Sequence, residues 1–168
     1  MKRISAIALF VLAGCQSAPV SEGPVVADTG SQAAETNDPR NRARIRTELA
    51  ALYYGRGNMG VALEELRLAA QADPNYGPVY SMFGLVYLQL KETALAQQNF
   101  ERALRLSPTD PDINHNFGWF MCQTGRESES IRYFLQAVRN PLYSQPWKSY
   151  AAAGQCALSK DNLKDAQI

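Results

Sequence analysis

The chain has 168 residues, with 17 lysines and arginines against 16 aspartates and glutamates, a formal net charge of +1. A balance so close to neutral argues against a nucleic-acid binder, whose partner is a polyanion. A single histidine with no His-x-x-x-His or Cys-x-x-Cys pair leaves zinc without a ligand set, and no glycine-rich phosphate loop occurs. No metal, cofactor, small-molecule substrate or catalytic centre is expected, and the chain does not read as an enzyme.

Lys2 and Arg3 precede a largely apolar run from Ile4 to Ala13, about half the roughly 20 residues that a helix needs to span a bilayer. Such a run is an export signal rather than a transmembrane helix. It closes on Leu12-Ala13-Gly14-Cys15, which resembles the bacterial lipobox. The resemblance implies cleavage after residue 14 and lipidation of Cys15, with two or three acyl chains forming a stable anchor. The competing reading is an ordinary secretory signal with an incidental cysteine. Gln16, rather than an aspartate, follows, and by likeness to enterobacterial sorting this implies the periplasmic face of the outer membrane.

Residues 16 to 38 are rich in Ser, Gly, Pro, Ala, Thr and Glu and lack aromatic residues, so they bury too little apolar surface to offset chain ordering. Residues 15–38 are read as a lipidated flexible tether reaching about 25 to 30 Å. Loss of Lys2 and Arg3 with a signal at 1–14 leaves 15 basic against 16 acidic residues. Arg40, Arg42, Arg44 and Arg46 read as the solvated start of a helix; contact with anionic headgroups is the alternative.

From there the chain repeats. Pro74 and Pro108 stand 34 residues apart, and aligning on them superposes small residues at Ala50, Gly84 and Gly118. Large apolar residues fall together at Leu49, Phe83 and Phe117, and again at Leu66, Phe100 and Phe134. Ala62, Ala96 and Ser130 also align, as do Ala69, Ala103 and Ala137. The pattern resembles the tetratricopeptide repeat, which implies an all-α fold, a right-handed superhelix of helix-turn-helix units. Gly84 and Ala96 then mark a close crossing of two helices, Pro108 ends a helix, and Gly57 and Gly125 give freedom at turns where the middle repeat has Lys91. The expected repeat domain is 39–168, with repeats near 43–76, 77–110 and 111–146 and a partial one at 147–168, displaced by the Asn140–Pro146 connection. The last repeat stops inside its second helix, which leads to the expectation that the chain continues beyond Ile168; a stunted capping helix is the alternative.

Cys122 and Cys156 fall at nearly equivalent places on neighbouring first helices, and an exported protein meets an oxidising compartment. A Cys122–Cys156 disulfide is expected, against the alternative of two buried thiols. The groove-facing positions of a repeat, carried over from the resemblance, are Arg44, Thr47, Tyr54, Ser81, Leu85, Leu88, His115, Trp119 and Gln155. Among them Tyr54, Leu85, Leu88 and Trp119 form an apolar stripe suited to a peptide, with His115 beside it. The alternative is that some of these side chains pack against other parts of the chain.

The stretch from Ile113 to Ala166, with its Asn-x-Asn-x-Gly-Trp-Phe-x-Cys pattern from Asn114 to Cys122 and the Asn140-Pro141-Leu142-Tyr143 junction, resembles the type IV pilus biogenesis and stability lipoproteins of the PilF/PilW type. The likeness implies a pilotin: a lipid-anchored scaffold that binds the secretin subunit of the pilus machinery and aids its localisation and multimerisation. A repeat lipoprotein acting as adaptor for cell-wall hydrolases or for outer-membrane protein assembly is the other expectation.

Overall fold

A computed structural model describes residues 38–158. The expected signal, Cys15, the expected tether up to residue 37 and residues 159–168, where the fourth repeat's second helix is expected, lie outside the described residues. Those described form seven helices: α1 (Pro39–Gly55), α2 (Met59–Ala72), α3 (Gly77–Gln89), α4 (Thr93–Leu106), α5 (Pro111–Gln123), α6 (Glu127–Val138) and α7 (Pro146–Leu158). There is no strand among them, and no helix is long and apolar enough to cross a membrane.

Local chemistry sets the boundaries. Asp38 accepts from the backbone amides of Arg40 and Asn41 at 3.3 and 3.2 Å, and Pro39 sits in the first turn, so α1 starts a turn before the repeat register at Ala43. Asp110 does the same for α5 through the Ile113 amide at 3.0 Å. Within α1 the arginines are solvated and paired: Arg44 with Glu48 at 2.6 Å and Arg46 with Glu65 on α2 at 2.7 Å.

The three turns inside repeats share one geometry. Asn58 N–H donates to Tyr53 O, Glu92 to Tyr87 O and Arg126 to Met121 O, each at 2.9 Å. The preceding residue in each case donates three residues back, to Tyr54, Leu88 and Cys122 respectively. This paired closure of a helix end requires the residue past its end to be left-handed, and Gly57 (φ +78°), Lys91 (φ +66°) and Gly125 (φ +79°) comply.

α1 packs on α2, α3 on α4 and α5 on α6, and the first helices line up as α1–α3–α5–α7. Close approach within a pair depends on missing side chains. A Cβ placed on Gly84 would stand 2.7 Å from three ring carbons of Phe100, and one on Gly118 would stand 2.9 Å from Phe134. Both rings are fully buried. Phe100 also meets Phe117 and Phe120 of the next repeat, with ring centroids 5.9 and 5.3 Å away, so one side chain closes its own pair and seals the next.

Loop carbonyls are tied back in the same register. The Tyr80 hydroxyl donates to Pro74 O at 2.9 Å, and 34 residues later the shorter Asn114 donates to Pro108 O, also at 2.9 Å. The two-residue displacement before α7 is taken up by a connection that buries Tyr143. Cys122 on α5 and Cys156 on α7 are joined by a disulfide, with Cα atoms 5.8 Å apart.

A candidate peptide-binding notch

Tyr54, Leu88 and Trp119 come from α1, α3 and α5, all near the ends of those helices. They meet in one notch of about 220 Å³, each of them half-buried. Repeat stacking brings them together: residues 54 and 88 occupy the same place in successive units, and Trp119 lies one helical turn before that place in the third. Gln89 and Gln123, again 34 residues apart, stand on the wall with Lys91, Thr93 and Thr124. Thr124 is committed to the Phe120 carbonyl at 2.9 Å, whereas the glutamine amides offer both donors and acceptors. Apolar side chains below and exposed amides above suit an extended polypeptide, the former taking a side chain and the latter its main chain.

The other expected groove residues are placed differently. Leu85 does not line the notch; it is half-buried between the core of the first two repeats and that of the third. Ser81 is buried and accepts from Asn116 Nδ2 at 3.1 Å, linking α3 to α5. Arg44 is occupied by Glu48, Thr47 donates to the Ala43 carbonyl at 2.7 Å, and Gln155 is exposed.

His115 sits at the seam between α5 and α7. Its Nδ1 lies 2.9 Å from Ser149 Oγ, and its ring stacks at a tilt on Phe134, centroids 5.6 Å apart. Ser149 is fully buried and its hydroxyl donates to Tyr143 Oη at 3.3 Å, so it is not poised as a nucleophile for a histidine base. Burial lowers the His115 pKa and the Lys148 ammonium lowers it further. The folded state therefore binds fewer protons there than the unfolded chain, whose imidazole titrates near 6.5. The stabilising contribution is full above that value and is lost as pH falls through the folded pKa. The urea midpoint of the wild type is expected to fall between pH 7 and pH 5 by more than that of His115→Asn; equal slopes would show the seam to be insensitive.

Sequence reasoning missed the polar wall, although the register that links Gln89 to Gln123 carries the signal. It also missed a cleft of about 530 Å³ between α4 and α6, lined by Leu104, Tyr133 and Leu135 with Arg132 and Arg139, because no role was assigned to the second helices. Among the described residues no group of three His, Cys, Asp or Glu side chains is placed to hold a metal ion.

Comparison with known proteins follows the same lines. Residues 77–110 match the tetratricopeptide repeat, and the seven-helix array has the superhelical architecture of such proteins. A solved structure titled as PilW, a widely conserved type IV pilus biogenesis factor, superposes with a TM-score of 0.68 at 30% identity, over 74% of this chain and 57% of that one. Type IV pilus assembly protein PilF of Pseudomonas aeruginosa is 26% identical over 125 residues, 74% of this chain and 50% of its own length. An uncharacterised protein of Haemophilus influenzae is 29% identical over 133 residues, 79% of this chain and 74% of its own. The chain thus spans only about half the length of PilF.

Proposed function

We propose that this chain is an outer-membrane lipoprotein that serves type IV pilus biogenesis as a pilotin: it binds the secretin subunit and promotes its localisation and multimerisation. The observation that carries the reading is the notch itself, where three successive repeats each contribute a large side chain to one site that can take a partner's side chain. Likeness to PilW and PilF supports the choice of pathway. Acyl chains on Cys15 would hold the groove close to the bilayer, and a bound subunit would be delivered at high effective concentration rather than by diffusion. No bond is made or broken in such a role.

The test is made in cells that assemble the secretin. Buried aromatic anchors dominate peptide interfaces, each contributing about 2 kcal/mol or more, so Trp119→Ala with Tyr54→Ala is expected to weaken secretin co-purification at least tenfold and to deplete the multimer. Cys15→Ser is expected to leave the repeats folded and to mislocalise the secretin. Normal multimer levels in both variants would refute the role, and capture of amidases or barrel-assembly components in place of secretin would favour the adaptor alternative.

A further inference from the structure

Three equivalent turns require a left-handed residue, and two of them use glycine: Gly57 and Gly125. The third uses Lys91 at φ +66°, a conformation costing a residue with a Cβ about 1 kcal/mol or more. Lys91 is the one charged residue on the wall of the notch. Its ammonium forms no ion pair among the described residues, although Glu92 is its neighbour in sequence. The turn that breaks the glycine rule is the one whose side chain borders Tyr54, Leu88 and Trp119.

We propose that Lys91 selects the partner: the notch takes an extended segment in which an aspartate or glutamate directly adjoins a large apolar residue. This rests on the groove reading above and specifies its ligand. The apolar side chain fills the space among Tyr54, Leu88 and Trp119, and the adjoining carboxylate meets the Lys91 ammonium at the rim, where apolar neighbours reduce solvent screening. The row of first helices continues past the notch to α7, so the segment passes through and the carboxylate belongs to a side chain rather than to a chain end.

The experiment titrates three peptides into the purified protein and follows the Trp119 indole N–H by NMR. The probes are acetyl-Gly-Ser-Phe-Asp-Leu-Ser-Gly-amide, its asparagine counterpart, and acetyl-Gly-Ser-Gly-Ser-Phe with a free carboxylate. For the wild type the aspartate peptide is expected to bind about three- to fivefold more tightly than the asparagine peptide, the range of an exposed ion pair. Lys91→Gly and Lys91→Asn, which remove the charge but tolerate the backbone, are expected to bring that ratio near one. Lys91→Gly should also melt about 3 °C higher. An unchanged ratio in these variants, a lower melting temperature for Lys91→Gly, or tightest binding by the free-carboxylate peptide would each overturn the proposal. Failure of all three peptides to move the Trp119 signal would instead bring down the groove reading itself.

Discussion

Phe100→Ala is expected to lower folding stability by about 3 to 5 kcal/mol, seen as a lower urea midpoint. The ring is fully buried, it lies over Gly84, and it touches Phe117 and Phe120 of the following repeat. Truncation opens a void at the junction of two units, and neither can collapse into it without separating from its own partner helix. A loss of this size is comparable with the total stability of many domains. The converse substitution tests the same contact. Gly84→Ala would set a Cβ 2.7 Å from the ring, a ring whose far side is blocked by two other phenylalanines, so overpacking should cost about 1 to 3 kcal/mol. Phe100→Leu introduced into Gly84→Ala should then restore part of the loss, with a coupling of at least about 0.5 kcal/mol in the double-mutant cycle. Strictly additive effects would mean that the two positions do not share a contact.

Removal of the disulfide, as Cys122→Ala with Cys156→Ala, is expected to cost about 3 to 4 kcal/mol in the chain-entropy account, given a sequence separation of 34. The loss should be local. Among the described residues α7 leans only on α6 and, more lightly, on α5, whereas α3 and α5 are each held on both sides. Hydrogen exchange at Ala152 and Ala153, which pack with Cys156 and Phe134, should accelerate well before exchange in α3. Two reactive thiols on the denatured, unreduced wild-type repeat domain would show that the bridge is not formed.

Most of the architecture was legible because a 34-residue period leaves little freedom. Once Pro74 and Pro108 are aligned, Gly84 and Gly118 fall at equivalent helix crossings, and the structure sets Phe100 and Phe134 against them. Tyr54, Leu88 and Trp119 were named through the groove positions that the resemblance implies, and the structure gathers them at one notch. Much of what escaped lies where the period breaks. Tyr143 lies in a connection without a counterpart, so its burial and its bond to Ser149 had no register to announce them. His115 was assigned to the groove by position, but the displaced α7 brings a serine to its Nδ1. Leu85 obeyed the register and still turned toward the core, because a half-buried leucine gains more by bridging two clusters than by remaining in water. The start of α1 ahead of the repeat register was legible in the arginine series, whereas its Asp38 cap is a purely local signal that the repeat does not announce.

Neighbour-only stacking has a mechanical corollary. Since Phe100 is shared between adjacent units while no helix reaches across the whole array, a push applied at one unit is passed along as a slight change of tilt at the next, much as in a coil spring. The gap bounded by Tyr54, Leu88 and Trp119 spans three turns of that coil, so its width is a gauge of the coil's pitch. Whatever wedges into it stiffens the array, and whatever unwinds the array loosens the grip.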